Sequence, residues 1–308
     1  MNFSIDIKVF EAYANPYEHR RYRQPHFYER VRPVPKGIEI DFSGGENDPQ
    51  PILEKVKDVE MQPKVEEKKC DTLEEFYNVH IARTQTECDE EAAHLQKSNG
   101  WLKSRHHCIT ASQFGAAIGV NPYQSPDDLV EEKLYKKFSG NVMTEYGNEH
   151  EPHARQVFCE WMRNVLEKDG FTDIEFLEFN LLKYEACPWV GVSPDGILTY
   201  KTKEGIQKWD LIEYKCPARF KEGINPYLKH KYGVPPYYMA QIQGIMGFLN
   251  LHSPMKFERA WFVVWIPDTS FFTRVDFSEN YFNELKNRLE SWYFKKFLPR
   301  VFLDYKKM

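Results

Sequence analysis

The sequence predicts a mixed α/β fold, a central mixed β-sheet flanked by helices, with an N-terminal extension ahead of it. Three observations carry that expectation. Helical apolar spacing dominates from 71 to 166, short β-like runs follow at 175–184, 189–200 and 209–216, and a helix at 236–249 is succeeded by another strand at 259–266. Helices, then a small sheet, then a helix and a strand describe layers packed around one core. With 308 residues, 42% hydrophobic and 15% aromatic, the chain is long enough for one large domain and an appendage.

The front of the chain differs in composition. Residues up to about 35 are rich in Tyr, Arg and Pro, which suits either an arm packed on the domain or used in assembly, or arginines and rings that stack on bases. Residues 44–69 are polar and charged with no sustained apolar period, as in a linker. This divides the chain into an extension and linker over 1–70 and a folded domain over 71–308. Asp71-Thr72 followed by Glu74 and Glu75 resembles a helix start, with Asp71 as the cap and the helix running to 97. Ser98-Asn99-Gly100 breaks it. A further segment from Trp101 leads into a helix over ITASQFGAAIG, with Thr110 or Ser112 near its N-terminus. Helices are expected at 125–138 and 146–166, a polar hairpin tip at 203–208, and a helical, basic C-terminal segment at 280–307.

Charge and cysteine usage exclude some classes. The net charge is −5, but residues 1–100 hold 14 Lys+Arg against 20 Asp+Glu, leaving 27 against 26 for the rest. The acidity therefore lies at the front, and the remainder is near neutral although it contains candidate metal-binding acids. The six cysteines form no CxxC pair and no regular framework, so reduced thiols are expected. Without an apolar run of membrane-spanning length or a signal-peptide layout, the reading is a soluble, intracellular protein with no membrane partner.

The residues richest in chemistry are Ser193-Pro194-Asp195-Gly196 and Ile212-Glu213-Tyr214-Lys215-Cys216. On a strand, Glu213 and Lys215 share one face while Ile212, Tyr214 and Cys216 take the other. Pro194 and Gly196 can bend the chain to bring the Asp195 carboxylate towards that pair. Carboxylate oxygens are hard ligands suited to Mg²⁺, with Mn²⁺ as a substitute. Asp195 and Glu213 are the candidate ligands, and the backbone carbonyl of Tyr214 could add a third oxygen. Lys215 can orient or help deprotonate an attacking water and offset phosphate charge. Together they suit phosphodiester hydrolysis; an ordinary Glu-Lys strand face beside a hairpin turn is the competing reading.

Two helices add candidates. Glu151 precedes Ala154, Phe158 and Met162 by three, seven and eleven positions, which puts a carboxylate on an inward stripe where it needs a metal, water or cation. Arg155, one turn on, could be that cation through a structural salt bridge, or a DNA contact. Gln241 shares a stripe with Tyr238, Ile242, Ile245 and Leu249, where its amide could position water or a nucleotide, or simply bond at a helix edge.

These motifs, in this order, resemble the lambda exonuclease (YqaJ) family of PD-(D/E)xK nucleases over most of residues 101–265. Trp101-xxx-Arg105 with Ile109-Thr110-Ala111-Ser112 is similar to the family's first motif, and Gly147-xxx-Glu151 with Arg155 and Phe158 to its acidic helix. Ser193-Pro194-Asp195-Gly196 and Glu213-Tyr214-Lys215-Cys216-Pro217 resemble the metal and lysine motifs, and Tyr238-Met239-Ala240-Gln241 the glutamine helix. The resemblance implies a restriction-endonuclease-like core and removal of nucleotides from linear duplex DNA, from the 5′ end. It implies that Arg105 and Ser112, with Thr110 beside them, contact the 5′-phosphate and nearby backbone. It also implies service in recombination, repair or viral DNA processing, a single-strand annealing protein as partner, and, for a viral protein, the nucleus or cytoplasm of a host cell. The family's homotrimer is a candidate assembly, which the unmatched N-terminal region could cap, replace or strengthen. Two rivals remain: an endonuclease or structure-specific nuclease on the same core, and a non-catalytic DNA-binding or assembly protein, against which the intact Asp195, Glu213 and Lys215 speak.

Overall fold

A computed structural model describes residues 70–94, 98–135, 142–230 and 233–307, together with the backbone of 6–12. The linker expected at 44–69, and the Tyr/Arg/Pro-rich segment beyond Ala12, lie outside the described residues.

One mixed sheet organises the molecule. Its strands are β1 (Asp6–Ala12), β3 (Thr172–Leu177), β5 (Gly196–Lys201), β6 (Gln207–Lys215), β7 (Phe257–Ile266) and β8 (Thr269–Asp276), in the order β1-β8-β7-β6-β5-β3. β5–β6 and β7–β8 are antiparallel hairpins joined by the parallel β6–β7 pair, while β1 adds a parallel strand outside β8. Two strands of this sheet, β1 and β8, were not expected from the sequence. The short β2 (Ile109–Thr110) and β4 (Val190–Gly191) pair in parallel as a separate ladder.

Alternation along the strands sends residues to two cores. Leu198, Ile212, Tyr214 and Cys216 pack beneath α6 (Val142–Lys168), against its stripe Ala154, Phe158, Met162 and Leu166. Ile197, Leu211, Phe262 and Val264 face the opposite layer, which contains α7 (Pro236–His252) and α8 (Glu279–Trp292). The sheet is thus covered on both faces, which is why β6 reads as a nearly continuous buried run.

Several boundaries depart from expectation for local reasons. The helix expected over 71–97 is two, α1 (Leu73–His80) and α2 (Gln85–Ala92), each started by its own capping box, Thr72 with Glu75 and Thr84 with Glu87. Thr72, not Asp71, is the first cap. α3 (Asn99–Ser104) follows. Instead of one helix over ITASQFGAAIG there is a 3₁₀ turn at Ala111–Gln113 and a four-residue α4 (Phe114–Ala117), which ends at Gly119 with φ 76°. α5 spans Pro126–Tyr135. The C-terminal helix expected at 280–307 is interrupted by a π turn, Tyr293–Phe297, before α9 (Leu298–Tyr305). Pro299 has no amide to bond the Lys295 carbonyl, so the chain widens there, and the Leu298 amide reaches back to the Tyr293 carbonyl.

The six cysteines are free thiols. No helix among the described residues is long and apolar enough to cross a membrane.

The inner helix α7 is buried from Met239 to Leu249 and depends on small residues where neighbours approach. A Cβ on Gly247 would overlap the Phe282 ring of α8. Gly247→Ala is therefore expected to cost about 1–3 kcal/mol through forced displacement of that ring. A lowered urea midpoint would register it; an unchanged midpoint would show that Phe282 moves aside freely.

Candidate active site

β6 carries Glu213 and Lys215 on its α7-facing side. Glu213 is fully buried, and one oxygen, Oε1, receives both the Lys215 ammonium and the Gln241 side-chain amide, the latter at 2.5 Å. Its other oxygen, Oε2, is buried with no hydrogen-bond partner. Asp195 stands immediately before β5, where Gly196 lies opposite Ile212 in register. The Tyr214 amide donates to Asp195 Oδ2 at 3.0 Å, and the Lys215 ammonium is 4.0 Å from the same oxygen. The hairpin thus brings the two carboxylates and the lysine together across 20 residues of sequence, and α7 delivers the glutamine.

The charges are unbalanced. Burial and the Glu213 carboxylate push the Asp195 carboxyl up to about 7, against the opposing pull of Lys215 and the Tyr214 amide. Burial would depress Lys215, but Glu213 and Asp195 overcome it and hold the ammonium above its ordinary range. Lys215 therefore stays charged and acts as a hydrogen-bond donor here, and its ammonium lies 4.9 Å from the centre of the Tyr238 ring.

A divalent cation fits this set. A buried carboxylate oxygen without a partner carries a desolvation cost of at least about 1–3 kcal/mol, and it is the kind of hard donor Mg²⁺ takes. Among the described residues, no three His, Cys, Asp or Glu side chains stand together as a ready metal set. Asp195 and Glu213 would need a further oxygen, from the Tyr214 backbone, from water or from Glu151.

Glu151 is half-buried on α6. Burial and the Asp195 charge raise its pKa, which places it within electrostatic reach of the pair. It is also engaged by Arg155 at 3.1 Å, the salt bridge that the one-turn spacing allowed. Arg155 additionally pairs with Glu178, donates to the Asp195 backbone carbonyl at 3.2 Å, and lies 5.5 Å from the Tyr214 ring centre. Its guanidinium thus ties α6 to the Asp195 turn and to Glu178. An open cleft of about 540 Å³ lies alongside, lined by Asn148, Glu151, Arg155, Cys159 and Glu178 among others.

Residues 100–249 match the YqaJ-like viral recombinase domain family. Over that stretch the chain is similar to a YqaJ-like domain. Every candidate residue named above falls within it. Among curated proteins, the chain is 29% identical over 154 residues to the uncharacterized protein R354 of Acanthamoeba polyphaga mimivirus, covering 48% of this chain and 26% of that one. It is 28% identical over 163 residues to protein D345L of African swine fever virus, covering 48% and 44%. The matched region thus spans less than half the length of these relatives. Among solved structures, the alkaline exonuclease LHK-Exo of Laribacter hongkongensis aligns with a TM-score of 0.46 at 22% identity, over 68% of this chain and 95% of that one. A complex of LHK-Exo with dAMP aligns with a TM-score of 0.47 at 21% identity, with the same coverage.

Within the YqaJ-like stretch, the first motif gathers at the end of α3. The Arg105 guanidinium lies 4.0 Å over the Trp101 ring and donates to Thr110 Oγ1 at 3.3 Å; no carboxylate pairs with it among the described residues. Thr110 is buried, its hydroxyl bonded to Gln113 and 3.5 Å from that of Ser112, which is exposed. Because Ser112 sits in a 3₁₀ turn rather than at the start of a long helix, what it offers an anion is a hydroxyl, not a macrodipole. β2 connects this cluster to the carboxylates. Thr110 pairs with Gly191, only four residues before Asp195, a chain length that spans at most about 14 Å.

Two neighbours, Lys133 and Tyr238, were given no role at the site from sequence. Lys133 of α5 donates to the Arg105 carbonyl at 3.3 Å and is depressed to about 8, mainly by burial and partly by Arg105. Nothing in the local sequence ties it to a residue 28 positions away. Tyr238, beneath Lys215, could have been found, since it precedes Gln241 by three positions on the same helical stripe.

Proposed function

We propose that this chain is a Mg²⁺-dependent exodeoxyribonuclease that degrades linear double-stranded DNA from the 5′ end. The observation that carries the reading is Glu213: a fully buried carboxylate, shared by Lys215 and Gln241 through one oxygen and left unpartnered at the other, beside Asp195. A structural ion pair does not need a second carboxylate that worsens its charge balance. A cation-dependent hydrolytic centre does.

When bound by Asp195 and Glu213, with the Tyr214 carbonyl and Glu151 as further donors, Mg²⁺ (or Mn²⁺) would polarise the scissile phosphate and lower the pKa of the attacking water. The protein's own groups do the rest. The Lys215 ammonium donates to the water or to a phosphate oxygen as charge builds. Gln241 fixes Glu213 and can hold the water. Arg105, with Thr110 and Ser112, receives the 5′-phosphate through charge-assisted hydrogen bonds, and Arg155 steadies Glu151 and the Asp195 turn. Products bear 5′-phosphates, and a 3′ strand remains.

The likeness to viral proteins supports a role in recombination, repair or viral DNA processing inside a host cell, in nucleus or cytoplasm. There the 3′ strand would pass to a single-strand annealing protein. Residues 71–308 are proposed as the nuclease domain, 1–70 as an extension whose β1 joins the domain's sheet beside β8, and a homotrimer as the assembly that encloses the DNA.

Matched linear and covalently closed circular duplexes, with separately labelled 5′ and 3′ ends, test the proposal. Mg²⁺-dependent shortening of linear DNA from a 5′-phosphorylated end, with circles intact, is expected. Cleaved circles would move the assignment to an endonuclease, and binding without cleavage to a non-catalytic protein.

A further inference from the structure

We propose that Tyr123, backed by Tyr237, is a stacking platform for an unpaired base of the DNA strand entering the site; the inference rests on the nuclease reading. Tyr123 is 81% exposed, more than any other large apolar side chain among the described residues. Its loop is nevertheless firmly braced. The amides of Val120 and Asn121 both bond the Gly115 carbonyl, at 2.9 and 3.0 Å, and Asn121 Oδ1 accepts from the Tyr123 amide at 3.0 Å. On its far side Ser125 exchanges hydrogen bonds with Asp128 in the first turn of α5. A rigid loop that holds an aromatic ring in solvent forgoes burial that packing would reward, as binding surfaces do.

The ring's neighbours say which ligand suits it. Tyr123 meets Tyr237 edge to face with centroids 6.0 Å apart, Tyr237 meets Tyr238 at 4.5 Å, and the Lys215 ammonium lies 4.9 Å from the Tyr238 ring. A row of three tyrosines therefore runs from open surface to the lysine of the candidate active site. The row is anchored where α4 abuts the start of α7, since a Cβ on Gly115 would come within 2.5 Å of Tyr237.

Charge agrees. A phenol is protonated near neutral pH, so Tyr123, Tyr237 and Tyr238 do not repel a polyanionic strand. The edge-to-face contact leaves a face of Tyr123 available, and every base presents a π-face to such a ring irrespective of sequence.

The test uses 5′-phosphorylated duplexes with a short unpaired 5′ segment, carrying 2-aminopurine at successive positions and bound by the full chain in EDTA. Fluorescence should be quenched most strongly at one position, with the quench lost in Tyr123→Ala and retained in Tyr123→Phe. With Mg²⁺ and linear DNA, Tyr123→Ala should raise KM about tenfold, the scale of one lost base stack, with little change in kcat. Wild-type quenching and KM in Tyr123→Ala would overturn the platform. A wild-type protein that fails to cleave would defeat the nuclease reading alone, since quenching is read without metal.

Discussion

Replacing Lys215 with alanine is expected to lower kcat on linear duplex DNA by about a thousandfold, within the range that removal of a positioned acid-base or charge-stabilising group produces. The expectation rests on what the ammonium touches: Glu213 directly, Asp195 at 4.0 Å, and the Tyr238 ring. No other cation lies within salt-bridge distance of these two carboxylates among the described residues, so nothing compensates for its loss. The variant also leaves Glu213 buried with Gln241 as its remaining partner, a truncation that typically costs about 3–5 kcal/mol. Loss of activity must therefore be read on folded protein, with circular dichroism and retained binding of a labelled duplex as the controls. A folded Lys215→Ala protein that cuts linear DNA at the wild-type rate would remove Lys215 from the mechanism.

Glu213→Gln should separate cation binding from folding. The substitution keeps the shape of the side chain and an oxygen that can accept from Gln241, but removes the charge that makes Oε2 a strong ligand. For the wild-type protein, Mn²⁺ at about a hundred times its dissociation constant adds about 2.7 kcal/mol to stability. For a domain of this size that shifts the melting temperature by about 5–10 °C. The glutamine variant should show almost none of that shift and almost none of the nuclease activity. Differential scanning calorimetry with and without Mn²⁺ decides the point, and an undiminished shift in the variant would place the cation elsewhere.

Glu213 and Lys215 were legible because a strand's period of two is strict and the Pro-Asp-Gly turn before β5 is hard to mistake. Gln241 could be placed on its helical stripe, yet its bond to Glu213 depends on how α7 docks across β6, which no local pattern encodes. β8 was missed for a chemical reason. The β7–β8 turn is Pro267-Asp268, and Asp268 adopts φ 63° without being a glycine, an exception that Asp's short polar side chain tolerates. The break between α1 and α2 was signalled by Thr84 and Glu87, a capping box overlooked inside a helical run. β1 has no comparable signal, since pairing on the open edge of β8 is a long-range choice. The engagement of Arg155 by Glu178 as well as Glu151 likewise depends on the strand-end loop after β3, invisible to helical spacing.

β6 is bonded on both sides, to β5 and to β7, and its buried residues are shielded by a helical layer on each face. The amides of 211–214 should thus be among the slowest in the protein to exchange with deuterium, opening only when the whole domain unfolds. The chemistry would then be fastened to the least yielding stretch of backbone, while the exposed hairpin tip at 202–206 exchanges early. A protein arranged this way can accept insertions at that tip without altering the spacing of the two carboxylates, because the ladder between β5 and β6 sets that spacing and the connection does not.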